Sequence, residues 1–461
     1  MTGALWSLSA SDMAAGIAAK KFSSRDAVCA CLSRIEETNP ALNAVTEVLA
    51  DQALAAADKA DQSPPLGPLH GVPVSIKGNI DVAGSATVNG CAAFQNAVAK
   101  ETSPAAQNLL NAGAIILART NTPEFCVRWE TTNDVYGATK NPWNSALSPG
   151  GSSGGAAASI AARMTPLAHG TDLGGSLRHP AQACGVASLR PTKGRVPDYV
   201  PSEPEPAMGY QLMNTDGPIA RRVADLRLAL GVMAAPDHRD PWQVPAPLAQ
   251  PAPSDLPIAV ISNPLGKGID TQVAHGISKA SSVLERSGYD LEYAEPDSLA
   301  NAVDIWKRTL FFEIFNGLEP AVKDICGPRL RQTFDLYRAA TDPISVEDYH
   351  AAFGDRRRVL REWMAFFQRY QVIVGPVCTV PPQPVDYDIA DVQSTKAAIA
   401  SMTMLIAINA LGLPSVVVPV GIEDGLPQVV QVIGAPFEEM RCLAVAEAIE
   451  AHVDPLPIPV F

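Results

Sequence analysis

The sequence predicts an α/β fold, and two observations carry this prediction. The first is a helix-to-strand step at residues 103–117, where a helix over 103–111 leads through Gly113 into a buried strand at 114–117. The second is that the alternation resumes after residue 257, with strands at 258–261 and 289–293 on either side of a helix at 271–287. With 461 residues, 47% of them hydrophobic, the chain can bury a sizeable core.

The N-terminal region predicts two helices and then a strand. Residues 11–37 hold two serine-led helix starts, each followed by helix-periodic apolar residues, and Asn39-Pro40 is the expected stop. Residues 69–76 alternate as an extended segment, with valine and isoleucine on one face. The pattern therefore places Lys77 at the end of a strand.

Residues 148–195 are rich in glycine and serine, and they carry the densest chemical signal in the chain. Glycines flank Ser152 and Ser176 and allow backbone N–H groups to converge on one point, which suits an oxyanion. A Gly/Ser-rich stretch is more often a linker, but residues 156–164 between the two serines read as a buried helix. A flexible linker would not bury its middle. Ser153 is expected to support the start of that helix.

The proline-dense segment at 237–257 predicts a connection between two segments of one domain. Beyond it, an amphipathic helix at 355–370 leads into a strand at 372–374, and a helix at 443–451 closes the chain. Residues 397–422 lack any charge, but glycine and proline divide them into a buried helix and a buried strand. We therefore expect no membrane span.

Charge and composition exclude several classes of function. The net charge of −13 repels nucleic acid and anionic lipid headgroups. The N-terminal residues show no basic region followed by an apolar one, so cytoplasmic location is expected. The eight cysteines form no C-x-x-C pair or evenly spaced framework, so neither a disulfide scaffold nor a metal site is predicted.

Two other motif interpretations compete at the glycine-rich region and both fail. Gly150-x-Ser152-x-Gly154 matches a nucleophile elbow, but the turn-forming residues before it replace the required strand, and no late-chain histidine is an obvious catalytic partner. A phosphate loop is excluded because 265–268 lacks the upstream glycine and the hydroxyl after lysine, while 170–175 lacks the G-x-G-x-x-G spacing.

Taken together, these residues resemble the amidase signature family over nearly the whole chain. The resemblance rests on joint occurrence of a lysine strand, two serines and flanking glycines. The matching segments are GVPVSIK at 71–77, NTPEF at 121–125, NPW at 141–143, GGSSGG at 150–155, GTDLGGSLR at 170–178 with Pro180, LP at 413–414, GLP at 425–427 and QVIG at 431–434. Gly78, Arg190 and Val430 depart from the commoner pattern and weaken the transfer of a particular substrate.

The resemblance implies a single α/β/α domain, residues 1–461, around a large mixed β-sheet, with a Ser-cisSer-Lys triad, no cofactor and no metal. Ser176 is implied as the nucleophile, and Ser152, joined to Gly151 by a cis peptide, as the proton shuttle to Lys77. The implied oxyanion hole consists of the backbone N–H groups of Leu173, Gly174, Gly175 and Ser176.

The implied role of Lys77 makes a physical demand on its pKa. A lysine at its ordinary pKa is neutral in only about one molecule in a few thousand at pH 7. Burial away from carboxylates lowers the pKa of an amine, whereas pairing with Asp81, the nearest acid in sequence, would keep it high. A strand-end lysine that reaches solvent is the alternative.

Four residues around the triad are expected to support it. Asp172 and Arg178 are predicted to fix the glycine loop by charge-assisted hydrogen bonds and not to act as acid or base. Thr171 is expected to orient Ser152, and Gly151 to pack tightly at the cis peptide.

The predicted function is hydrolysis of the C–N bond of a small apolar or aryl amide through an acyl-enzyme on Ser176. A carbamate, anilide or ester hydrolase with the same triad stays open, as do a glutamine amidotransferase subunit that passes ammonia to a partner and a silent binding scaffold. The expected partner is a small-molecule substrate, and a homodimer stays open. Loops at 85–97, 129–136 and 201–213 and the aromatic stretch at 310–315 are expected to shape the pocket.

Overall fold

The computed structural model describes residues 5–252 and 254–460. Its strands are β1 Val45–Val48, β2 Pro73–Lys77, β3 Ile115–Thr120, β4 Thr132–Asn133, β5 Gly137–Ala138, β6 Leu167–Thr171, β7 Ala187–Arg190, β8 Asp216–Ala220, β9 Ile258–Val260, β10 Leu291–Tyr293, β11 Ile373–Gly375, β12 Ser415–Glu423 and β13 Leu426–Ile433.

The α-helices of these residues surround the strands. They are α1 Ala10–Ala18, α2 Ser24–Leu42, α3 Ala50–Asp61, α4 Pro104–Asn111, α5 Gly154–Ala161, α6 Arg178–Cys184, α7 Met208–Met213, α8 Val223–Met233, α9 Thr271–Arg286, α10 Leu299–Glu313, α11 Glu319–Val322, α12 Pro328–Ala340, α13 Val346–Phe366, α14 Val392–Ser401, α15 Thr403–Leu411 and α16 Glu439–Glu450.

One mixed sheet of eleven strands forms the centre, in the order β1-β3-β2-β6-β8-β7-β12-β13-β11-β9-β10. Its first six strands come from the chain before the proline-dense segment and its last five from the chain after it. The two halves meet where β7 pairs antiparallel with β12. Between Met233 and Ile258 the described residues form neither helix nor strand, and both sides of this connection build a single α/β domain.

All strands of the first half of the sheet except β1 are covered on both faces. Every residue of β2, β3, β6, β7 and β8 is buried, and successive residues of a strand point to opposite faces. Helix α5 and helix α15 are buried along their whole lengths. The alternation of helix and strand therefore produces a layered α/β core, as the sequence predicts.

Several predicted boundaries are wrong, among them that of the helix predicted at 355–370, which runs from Val346 to Phe366, and two of the errors have local reasons. Helix α2 runs through Asn39-Pro40 to Leu42, because proline in the last turn removes a single hydrogen bond and Asn43, with φ of 52°, ends the helix in the left-handed region. The predicted strand at 69–76 is extended only from Pro73, since the residues before it form a turn.

The apolar region at 397–422 holds the end of α14, the whole of α15 and most of β12, so the predicted strand follows a helical half that is broken into two helices. No single helix among the described residues is long and apolar enough to cross a membrane. Helices α14 and α15 reach that length and composition only as a pair bent by 61°. All nine residues of α15 are buried in the core, whereas α14 has exposed residues and only one buried side, so the two helices do not form one continuous buried span.

The sheet brings three chemically important segments to one edge. Strands β2 and β6 are parallel neighbours, so their carboxyl ends, Lys77 and Thr171, lie side by side. The loop after β6 leads into α6, and the loop before α5 passes close to it, since Ser153 N donates to Ser176 O over 3.3 Å. The two glycine-rich loops therefore meet beside the end of β2.

Candidate active site

Lys77 is fully buried, and its amine contacts hydroxyl groups. Lys77 Nζ donates to Ser152 Oγ over 2.7 Å and to Thr171 Oγ1 over 2.8 Å. Asp81 turns elsewhere, because its carboxylate accepts from Thr87 Oγ1 over 2.5 Å and from Ser202 N over 2.7 Å. The strand-end lysine therefore neither reaches solvent nor pairs with its nearest acid in sequence.

Burial lowers the pKa of Lys77 below its ordinary value. The Cys126 thiol opposes this shift, and Asp216 and Asp172 oppose it less. A lowered pKa increases the fraction of neutral amine at physiological pH, which is the form that can accept a proton.

Ser152 lies in a loop whose backbone is held from several sides. The peptide bond between Gly151 and Ser152 is cis. A Cβ at Gly151 would lie 2.6 Å from the carbonyl carbon of Trp129, so only glycine fits there. Gly151 N donates to His179 Nδ1 over 3.4 Å, and burial lowers the pKa of His179 to about 4, which keeps this imidazole neutral.

Ser176 follows a positive-φ glycine in the loop after β6. Gly175 has φ of +103°, and a Cβ there would lie 2.6 Å from the side chain of Leu405. Ser176 is 7% exposed, and its hydroxyl makes no hydrogen bond to any residue that the structure describes. The Ser176 hydroxyl therefore has no protein partner among the described residues, unlike that of Ser152.

The buried carboxylate of Asp172 holds the backbone of this loop by several hydrogen bonds. Its carboxylate accepts hydrogen bonds from Gly175 N at 2.9 Å, Leu177 N at 3.2 Å and Arg178 Nε at 3.0 Å. Burial opposes the charge, but Arg178 and Arg190 outweigh it and hold the pKa of Asp172 below its ordinary range. Asp172 and Arg178 thus form the charge-assisted contacts that the sequence predicts.

The four backbone N–H groups expected to form the oxyanion hole differ in whether they already donate a hydrogen bond within the protein. The N–H of Gly175 already donates to Asp172 Oδ1. The N–H groups of Leu173, Gly174 and Ser176 donate to no group among residues 5–252 and 254–460. The loop therefore presents three free donors and not four.

Two neighbouring hydroxyl groups make contacts that the sequence does not reveal, and the role of Thr171 in orienting Ser152 stays a prediction. Thr171 Oγ1 contacts Lys77 Nζ and not Ser152, because Thr171 ends the strand beside Lys77. Ser153 occupies the position before α5 but forms no side-chain cap. Its hydroxyl instead lies 3.4 Å from both the N and the O of Thr171, and so links the two loops.

An aromatic cluster packs against the loop after β6. Trp129 and Trp306 have ring centroids 6.1 Å apart, and Phe311 and Tyr337 extend the cluster. Trp129 and Phe311 fall within segments expected to shape the pocket, whereas Trp306 and Tyr337 do not. Apolar periodicity on their helices is the only sequence signal they carry, and it marks any core aromatic equally well.

Arg190 and Asn409 are further residues that the sequence does not reveal as part of the site. Arg190 Nη1 donates to Asp172 O over 2.6 Å. Asn409 Nδ2 donates to Asp172 Oδ1 over 2.8 Å from α15, 237 positions along the chain. A contact over that distance depends on the whole sheet and leaves no local pattern.

Among the described residues, no cluster of three or more His, Cys, Asp or Glu side chains could hold a metal ion.

The eleven-stranded sheet and the buried amine beside two serine loops define a class, that of the amide-hydrolysing enzymes. Residues 26–443 match the family model described as Amidase. The chain belongs to this family, the amidase signature family, and is an amidohydrolase.

Individual relatives cover almost the whole chain. An indoleacetamide hydrolase of Bradyrhizobium diazoefficiens is 38% identical over 97% of this chain and 87% of its own length. A glutamyl-tRNA(Gln) amidotransferase subunit of Nitratidesulfovibrio vulgaris is 31% identical over 99% of both. The solved structure of a 6-aminohexanoate cyclic dimer hydrolase superposes with a TM-score of 0.85 and 25% identity over 97% of both chains.

Proposed function

We propose that the protein hydrolyses a primary amide with an aromatic acyl group, releasing ammonia and an arylacetate-like acid. The observation that carries the chemistry is the buried Lys77 amine, 2.7 Å from Ser152 Oγ and bonded to hydroxyl groups. The aromatic cluster beside the loop after β6 favours an aryl group. An indoleacetamide hydrolase among the relatives supports the same substrate class.

In the proposed reaction, Ser176 Oγ attacks the amide carbon while its proton passes through Ser152 to Lys77. The carbonyl oxygen becomes an oxyanion. In this proposal it accepts hydrogen bonds from the free backbone N–H groups of Leu173, Gly174 and Ser176. Lys77 then returns the proton through Ser152 to the amide nitrogen, the C–N bond breaks, and ammonia leaves an acyl ester on Ser176.

Water completes the cycle by the same relay. It attacks the ester carbon while its proton passes through Ser152 to Lys77. The C–O bond to Ser176 then breaks, the serine oxygen regains the proton, and the carboxylic acid departs. Every proton taken up by Lys77 is returned within one turnover, so no external acid or base is needed.

Asp172 and Arg178 hold the loop during this cycle and do not exchange protons. Their mutual hydrogen bonds, with that from Asn409, satisfy the buried charges. A preorganised loop holds the N–H donors in position for the oxyanion. Their hydrogen bonds then stabilise the transition state more than the bound substrate, which raises the rate. Gly151 and Thr171 support the other two partners, through the packing at Ser152 and the bond to Lys77.

The test combines covalent labelling with a substrate panel. A serine-directed fluorophosphonate is expected to modify Ser176 in the wild type and nothing in Ser176→Ala, as mapped by peptide mass spectrometry. Indole-3-acetamide and phenylacetamide are expected to turn over faster than acetamide, the corresponding anilides, esters and carbamates. Labelling at another residue would contradict the nucleophile, and preference for an acyl group without a ring would contradict the substrate class.

The amidotransferase alternative is less favoured. The relative at 38% identity is named a hydrolase, and the amidotransferase subunits are about 30% identical. A protein of the second kind would turn over simple amides poorly when purified alone and would be isolated with a second chain. Ammonia release by the isolated protein therefore separates the two functions.

A further inference from the structure

Two tryptophan side chains bind consecutive carbonyl groups of the loop after β6. Trp306 Nε1 donates to Leu173 O over 2.9 Å, and Trp129 Nε1 donates to Gly174 O over 2.8 Å. The two residues come from distant parts of the chain, Trp306 from the middle of α10 and Trp129 from the segment before β4. Their indole groups therefore converge on two adjacent peptide units.

These two peptide units differ in what their N–H groups do. In a planar trans peptide, the C=O and the N–H point in opposite directions, so fixing one fixes the other. The unit between Gly174 and Gly175 is bound at both ends, by Trp129 at its oxygen and by Asp172 at its nitrogen. The unit between Leu173 and Gly174 is bound only at its oxygen, by Trp306. Its N–H, on Gly174, is free among the described residues.

Packing leaves the indoles little freedom to leave these carbonyls. Trp129 is 7% exposed and Trp306 is 4% exposed. Trp306 packs edge-on against Phe311, with ring centroids 5.5 Å apart. A Cβ on Gly174 would lie 2.9 Å from Trp306 Cζ2, so the loop backbone lies directly on the indole. The same two rings thus position the backbone both by contact and by hydrogen bonding.

We propose that Trp306 is a positioning residue for the oxyanion hole, aiming the N–H of Gly174 at the developing oxyanion, and that Trp129 secures the adjoining peptide unit. The inference rests on the proposed function. A donor on the carbonyl side also polarises the peptide and strengthens its N–H as a donor. Because the oxyanion forms only in the transition state, the effect falls on kcat and not on KM.

The chain provides a matched control for removing one indole N–H. Trp363 on α13 is fully buried, and its Nε1 has no hydrogen-bond partner among the described residues. Trp306→Phe and Trp363→Phe therefore delete the same atoms from buried sites, but only the first breaks a hydrogen bond. Comparing the two separates the loss of the bond from the general cost of a smaller ring.

The experiment measures kcat and KM on indole-3-acetamide, and the affinity of an aryl trifluoromethyl ketone, which places an oxyanion in the hole. Trp306→Phe is expected to lower kcat roughly tenfold with KM changed less than about twofold. Affinity for the ketone is expected to fall by the same factor, while binding of the product acid and all Trp363→Phe constants stay at wild-type values.

Several outcomes overturn the inference. They are an unchanged kcat, a loss confined to KM, and an equal loss in Trp363→Phe. If Trp306→Phe does not fold, Trp129→Phe decides, with a smaller but measurable loss of kcat expected and wild-type kcat overturning the inference. A wild-type enzyme that turns over no amide refutes the proposed function and this inference with it, whereas an active wild type with an indifferent Trp306→Phe refutes the inference alone.

Discussion

Lys77 and Arg178 are both fully buried cations beside the same two loops, yet their surroundings are opposite. Lys77 Nζ donates to the hydroxyls of Ser152 and Thr171. Arg178 donates twice to the carboxylate of Asp172, through Nε at 3.0 Å and Nη2 at 3.1 Å. The first environment disfavours the charged form and the second requires it.

The difference shows how one small volume can hold an amine of lowered pKa beside a guanidinium paired with a carboxylate. Desolvation lowers the pKa of a buried cation that has neutral partners, so this group can act as a base. A buried cation that is paired with a carboxylate stays charged and holds the surrounding backbone by hydrogen bonds. Guanidinium suits the second task because it does not deprotonate in proteins. Substitutions at each cation test whether the two sites differ in this way.

Changes at Lys77 are expected to have the largest effect. Lys77→Met removes the proposed base and should lower kcat/KM about 100- to 10,000-fold. The fold should stay intact, because methionine fills a similar volume and does not carry the desolvation cost of a buried amine. Lys77→Arg should be as inactive, since a guanidinium keeps the charge but cannot accept a proton. Steady-state kinetics with circular dichroism checks both; substantial activity in Lys77→Arg would mean that the site needs a cation and not a base.

The wild-type pH profile sharpens the same point. Because burial lowers the pKa of Lys77, kcat/KM should rise with pH and level off well below 10.5, the ordinary value. A profile that keeps rising to that pH would place a charged lysine in the free enzyme.

Arg178→Met should act on stability first. It leaves Asp172 charged and buried without its main partner, so the free energy of unfolding should fall by about 3 to 5 kcal/mol. Arg358→Met is the matched control, since its pair with Glu362 is about half exposed and its loss should cost less than about 1 kcal/mol. Denaturant unfolding of both variants gives the comparison, and equal losses would mean that the buried pair of Arg178 and Asp172 stabilises the fold no more than an exposed pair does.

Glu130 is the acidic counterpart of Lys77. It is 2% exposed, and burial raises its pKa to about 7. The folded protein therefore keeps a proton that the unfolded chain releases near pH 4.5, so this group lowers stability as the pH rises from about 4.5 to 7. Glu130→Gln should remove that loss and gain up to about 3 kcal/mol at pH 9 relative to pH 4. Unfolding measured at both pH values checks it, and a gain that is the same at both would contradict it.

Most of the fold and the chemical residues could be predicted from sequence because their signals are local. Lys77 ends a short strand, Ser152 and Ser176 are flanked by glycines, and Asp172 lies four residues before Ser176. Each pattern is visible within about ten residues. The helix-to-strand steps at 103–117 and beyond residue 257 likewise appear as α4–β3 and as β9–α9–β10.

The contacts that the sequence could not reveal join distant segments. Trp306 and Asn409 reach the loop after β6 from α10 and α15, and nothing beside them in sequence marks that destination. The partners of the Thr171 and Ser153 hydroxyl groups could not be predicted for a related reason. Which hydroxyl a side chain meets depends on the register of β2 against β6, and composition does not determine that register.

The join between β7 and β12 divides more than the sheet. Lys77, Ser152 and Ser176 all lie in the part of the chain before the proline-dense segment, whereas Trp306, Phe311 and Tyr337 of the aromatic cluster lie in the part after it. The proposed catalytic groups and most of the aromatic cluster are thus encoded in separate stretches of the gene. Under the proposed function, substitutions in the later stretch can change which acyl groups are accepted and leave Lys77, Ser152 and Ser176 in place.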